Sequence, residues 1–109
     1  MLDIFREIAR RQAGGAVSAL ATVVRVHGST PRKPGAKMVV SSDGSTYGTV
    51  GGGCGEAQVQ RVAWHVLASR QPQLVHVDLT ADTESETGAI CGGTMEVFVE
   101  PITPSLLPK

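Results

Sequence analysis

A glycine-rich loop that runs straight into an amphipathic segment constrains this chain more than any other feature. In Gly48-Thr49-Val50-Gly51-Gly52-Gly53-Cys54-Gly55 five of eight positions are glycine. From Glu56 to Ser69 the apolar positions are then Val59, Val62, Ala63, Val66 and Leu67. That i, i+3, i+4, i+7, i+8 spacing predicts a helix buried along one face. Glycine permits positive φ and close approach to the main chain. The first turn of a helix leaves N–H groups unpaired and carries partial positive charge, which favours anions and thiolates. Cys54 therefore stands where a thiol is acidified and a ligand can dock.

Spacing removes the familiar readings of such a loop. A dinucleotide fingerprint begun at Gly51 needs glycine where Glu56 stands. A phosphate loop counted from Gly48 to Gly53 needs lysine where Cys54 stands. A Gly-x-Cys-x-Gly elbow from Gly52 also meets Glu56, and a cysteine phosphatase loop needs arginine where Gln60 stands. The two cysteines, Cys54 and Cys91, form no Cys-x-x-Cys unit, and with His27 they lack the ligand spacing of a zinc site. Glu56 in the first turn suits the helix dipole and can bond back into the loop. The plainer alternative is that the glycines make a tight turn and Cys54 is a small packing residue. Cys91, entering a strand, fits packing at least as well. His27 is more simply a solvated or satisfied histidine than a ligand, and His65 and His76 are assigned to structure.

The rest of the chain punctuates cleanly. Asp3 caps a helix running to about Gln12 that Gly14-Gly15 ends. Val17 to Val26 is apolar on both parities, as in a strand covered on both faces. Met38-Val39-Val40 and Thr46-Tyr47 flank Ser42-Asp43-Gly44-Ser45, which predicts a β-hairpin. Leu74 to Leu79 and Thr94 to Glu100 read as strands, the second stopped by Pro101; the polar stretch Thr80 to Gly88 has room for a helical turn. The fold class expected is α/β or α+β: a single domain with a mixed sheet, a β-hairpin and two to three helices. Residues 1–102 form the domain and 103–109 a Pro-rich tail.

Ten basic residues balance ten acidic ones, which argues against nucleic acid, as does the scarcity of aromatics. Arg25, Arg32, Lys33 and Lys37 nevertheless lie in a stretch free of acids, fit to receive an anionic small molecule. No apolar run is long enough to span a membrane and no signal peptide opens the chain, so a cytoplasmic location with reduced thiols is expected.

Three blocks carry a family resemblance. The string Ala21-Thr22-Val23-Val24-Arg25-Val26-His27-Gly28-Ser29-Thr30-Pro31-Arg32-Lys33-Pro34-Gly35-Ala36-Lys37-Met38 resembles the opening block of the XdhC/CoxI family. Gly48 to Cys54 with Glu56 resembles its second block, and Cys91-Gly92-Gly93-Thr94 through Pro101 its third. Members are accessory proteins for molybdenum hydroxylases, and many carry a further C-terminal domain of Rossmann type. The resemblance implies an accessory protein that binds the molybdenum cofactor (molybdopterin) as cargo, helps its sulfuration by a cysteine desulfurase and delivers it to the apo-hydroxylase. On that reading Cys54 and Cys91 contact molybdenum or handle sulfur, and Gly51, Gly52 and Gly53 shape the docking loop. Our electrostatic reading adds Arg32, Lys33 and Lys37 facing the pterin phosphate. Relatives usually have an aliphatic residue where Gly55 follows Cys54. Two alternatives stand beside this one: a thiol enzyme or persulfide carrier using Cys54, and an interaction module that never touches cofactor. A homodimer through an exposed sheet edge is also compatible with such a domain.

Overall fold

In the computed structural model the chain is described over residues 2–28, 33–51, 53–78 and 93–102, by backbone alone at residues 2, 53 and 54. The elements run α1 (Leu2–Ala13), β1 (Ser18–His27), β2 (Lys37–Ser41), β3 (Thr46–Gly48), α2 (Gly53–Ser69), β4 (Gln73–Asp78) and β5 (Thr94–Ile102). One five-stranded sheet has the order β3-β2-β1-β5-β4, and every described pairing is antiparallel. The α+β alternative therefore holds, with an antiparallel sheet in place of the mixed one expected. The reason lies in the crossover. β3 and β4 run in the same direction and α2 joins them, as in a parallel βαβ unit. Here, however, the helix carries the chain from one edge of the sheet to the other, and three strands separate the pair.

Each helix covers one face. Val59, Ala63 and Val66 of α2 are fully buried against Ala19, Ala21, Val23, Met38, Val40, Val75, Val77, Met95, Val97 and Val99. On the opposite face Ile4 and Ile8 of α1 pack on Leu20, Val39 and Ile102. β1 is thus covered on both faces as its composition predicts, but only in its first half. Val23 pairs with Val97 while Arg25 pairs with Glu96, so Val24 is an extra residue in the ladder and stands exposed. This bulge reverses the alternation. Val26 packs towards the α2 core, and Arg25 turns to the other face, where it meets Glu96 at 3.3 Å.

Two boundaries differ from the sequence reading. α2 begins at Gly53 rather than Glu56, so Cys54 lies within its first turn. β5 continues through Pro101, which was expected to stop it. The last β4 pairing is Gln73 with Val99, so Pro101 has a strand on the β1 side only. A residue without an N–H is tolerated at such an edge position. The polar stretch 80–88 and the tail 103–109 lie outside the described residues.

Two carboxylates in this scaffold are held below their ordinary pKa. Hydrogen bonds from Arg10 and then Arg11 lower Glu7, and the Ser45 hydroxyl followed by the Ser45 N–H lowers Asp43. A depressed folded-state pKa stabilises the fold above the ordinary carboxylate range, and that stability is lost as pH falls through the folded value. The melting temperature should therefore drop between about pH 5 and pH 3. Combining Glu7→Gln with Asp43→Asn should lower the neutral-pH value and flatten the acid slope, as thermal melts across that range would report.

Candidate functional site

Strand direction gathers the three sequence blocks at one end of the sheet. β1 finishes there at His27, β2 starts there at Lys37, β3 finishes at Gly48, β4 finishes at Asp78 and β5 starts at Thr94. The glycine loop leaves β3 at this end and passes into α2, which packs chiefly across β1, β5 and β4. The backbone of Cys54 thus lies at the N-terminus of α2, at the end where β5 begins three residues after Cys91 in sequence. Cys91, Arg32 and Gly52 themselves lie outside the described residues. Gly93, next to β5, is buried.

The loop is fixed from within. The Thr49 hydroxyl is hydrogen-bonded to the Glu56 carboxylate and accepts from the Gly51 N–H at 2.9 Å. Val50 is completely buried in the α2 core, and Gly55 is buried one residue beyond Cys54. The loop therefore has an apolar anchor and a polar one, and the start of α2 is held on both. The bond back from Glu56 follows from its place in the first helical turn. Thr49 was not singled out in the sequence; the available signal was a hydroxyl seven residues ahead of that carboxylate. Gly51, at φ 131°, occupies a conformation that an L side chain rarely adopts.

The basic block arrives by a different route. Lys33-Pro34-Gly35-Ala36 is a turn with Pro34 at its second position, Gly35 at φ 97° and the Ala36 N–H bonded to the Lys33 carbonyl at 3.2 Å. This is a type II turn, which needs positive φ at its third residue. It docks on β1, where the Val23 N–H donates to Ala36 and the Val23 carbonyl accepts from Gly35. Lys33 is exposed. Lys37 is half-buried and donates to the Thr22 hydroxyl at 3.4 Å. Because Met38 faces α2, Lys37 falls on the opposite face of the sheet. There it lines a cavity of about 260 Å³ with Asp3, Ile4, Gly35 and Tyr47. Cys54 and Lys37 thus share an end of the sheet, while α2 and the Lys37 side chain lie on different faces. Among the described residues no cluster of three His, Cys, Asp or Glu side chains could hold a metal ion, and no helix is long and apolar enough to cross a membrane.

A small antiparallel sheet with a glycine loop capping its crossover helix defines the class, and comparison with known proteins places the chain within it. The sequence profile of the XdhC and CoxI family matches residues 11–78. The chain belongs to this family. It is 38% identical over 98 residues to the uncharacterized protein YqeB of Escherichia coli K12, covering 90% of this chain and 18% of that one. It is 37% identical over 92 residues to a probable xanthine dehydrogenase subunit of Bacillus subtilis 168, covering 79% of this chain and 27% of that one. A crystal structure described as a xanthine dehydrogenase of Bacillus halodurans superposes with a TM-score of 0.80 at 31% identity, over 94% of this chain and 31% of that one. The chain thus spans between about a fifth and a third of the length of these relatives.

Proposed function

We propose that this domain serves the maturation of a molybdenum hydroxylase of the xanthine dehydrogenase or carbon monoxide dehydrogenase type. It holds the molybdenum cofactor as cargo in the cytoplasm while a cysteine desulfurase supplies the terminal sulfido ligand, and it then yields the cofactor to the apo-enzyme. The observation that carries this reading is the convergence of the family's blocks on one end of the sheet, with Cys54 in the first turn of α2. A thiolate there gains from the helix dipole and is a soft donor suited to molybdenum or sulfur. Loop amides from Gly51 to Gly53 and the cations Arg32 and Lys33 are the groups fit to meet the pterin phosphate, whereas Lys37, turned to the α1 face beside Thr22, is set apart from them. Cys91 is the second candidate donor. The Bacillus subtilis relative, named for xanthine dehydrogenase, supports the choice of hydroxylase class.

The test is retention of cargo. Reduced protein mixed anaerobically with molybdenum cofactor should carry it through gel filtration, and native mass spectrometry should report the bound mass together with any dimer. Cys54→Ser should reduce retention at least about tenfold if the thiol is a direct donor, a loss equivalent to about 1.4 kcal/mol. No retention by the unaltered chain would overturn the proposal. Rapid alkylation of Cys54 without cofactor retention would instead favour the persulfide-carrier reading.

A further inference from the structure

We propose that the outer edge of β4 is a strand-addition site for an extended partner segment alternating carboxylate and apolar residues. The inference is independent of the cofactor reading, because it concerns a groove on the flank of the sheet rather than its end.

β4 is the last strand of the sheet and has no neighbour on its outer side among the described residues. The polarity of that edge follows from one bond. The Gln58 amide donates to the His76 carbonyl at 3.4 Å, so His76 turns its main-chain groups away from β5. The two-residue repeat of an antiparallel ladder then turns the Leu74 N–H and carbonyl outward as well. Beside this edge lies a groove of about 290 Å³ lined by Gln58, Arg61, Val62, His65 and Gln73. The four helical residues stand at i, i+3, i+4 and i+7, a single stripe of α2 running alongside β4. An exposed edge with a helix flanking it is the arrangement that takes up extended peptides by main-chain pairing and reads alternate side chains.

The two sides of the groove differ in chemistry, and this sets the occupant. Side chains of an added strand on the α2 side would meet Arg61 and His65 over a Val62 floor. None of the five lining residues is acidic. Side chains on the other side would lie beside Leu74, which is 55% exposed, with Phe98 behind it as its direct cross-strand partner. Exposed His76 and Asp78 follow on that face towards the end of the strand. Carboxylates at alternate positions match the Arg61 and His65 side, and an apolar residue between them matches the Leu74 position on the other. A second copy of this chain matches poorly. Its β4 would bring Val75 and Val77 to the α2 side and set a second Arg61 near the first.

A fluorescein-labelled peptide of alternating Glu and Val, titrated with the 109-residue chain and followed by anisotropy, tests the site. Binding should be saturable and weaken with added salt, whereas the same peptide with Lys in place of Glu should not bind. Arg61→Glu with His65→Glu, both exposed positions, should weaken binding at least about tenfold. Leu74→Pro should do the same by removing an outward N–H at an edge where proline is tolerated. Melting curves close to the parent's would establish that both variants fold. Equal binding of the Lys peptide, no binding of the Glu peptide, or full binding by folded Leu74→Pro would each overturn the proposal. So would sedimentation showing a dimer that Leu74→Pro dissolves, since the edge would then belong to a second copy.

Discussion

Gly48→Ala is expected to destabilise the fold by about 3 kcal/mol, lowering the melting temperature by roughly 10–20 °C. Two separate costs meet at this position. Gly48 has φ 80°, a region that costs an L residue about 1 kcal/mol or more. In addition, a Cβ there would stand 2.5 Å from the Lys37 main-chain carbonyl oxygen and 3.5 Å from Ile4 Cδ1. The first of these atoms belongs to the neighbouring strand and cannot swing aside as a long side chain can. Relief would require β3 to move off β2 where Met38 and Gly48 pair, the last pairing before the glycine loop. Gly44→Ala separates the two costs. Gly44 has φ 90°, and a Cβ there meets nothing within 4 Å. Denaturant melts of the two variants should differ by about 2 kcal/mol, the cost of the steric clash alone. Equal losses would mean that conformation, not contact, demands glycine at position 48.

Much of the architecture was legible because single elements carry their own period. Val59, Ala63 and Val66 announce the buried face of α2, and alternation cannot explain the apolar run of β1, which two covered faces do. Ser42-Asp43-Gly44-Ser45 locates the hairpin, because the Asp43 carboxylate accepts from Ser45 and Gly44 supplies the positive φ. What escaped was whatever depends on partners distant in sequence. The strand order cannot be read from α2, since its crossover length fits adjacent parallel strands as readily as opposite edges. The extra residue at Val24 looks like any strand position until Glu96 is seen opposite Arg25 rather than Val24. Pro101 reads as a terminator unless it is known that β4 ends beside Val99. The candidate site divides the same way. Cys54 at the start of a helix follows from local pattern, while the placement of Lys37 on the far face follows only from the register of β2.

Arg11 shows how far such long-range dependence reaches, and Arg11→Ala should cost about 2–3 kcal/mol. In sequence it is one more cation on the polar side of a helix. In the fold its side chain is only 9% exposed and ties α1 to the β2–β3 hairpin. One guanidinium nitrogen donates to the Ser41 hydroxyl at 2.9 Å and the Ser45 hydroxyl at 2.6 Å, another reaches the Thr46 carbonyl, and Nε donates to Glu7 at 3.0 Å. Ser41 is fully buried and shares a hydrogen bond with buried Ser18 of β1. The guanidinium therefore terminates a polar chain running through the sheet. Its loss would leave Ser41 with Ser18 as its remaining side-chain partner and strip α1 of its polar attachment, leaving Ile4 and Ile8 to hold the helix. Glu7 would keep Arg10, so the cost falls short of that for a charge left buried and alone. Arg11→Lys retains charge but cannot span both serines and Thr46, and should recover less than half of the loss. Hydrogen exchange gives a second readout: amides of α1 should lose protection in Arg11→Ala well before those of β1 and β5. Uniform loss across the sheet would mean that Arg11 supports global stability rather than the seating of α1.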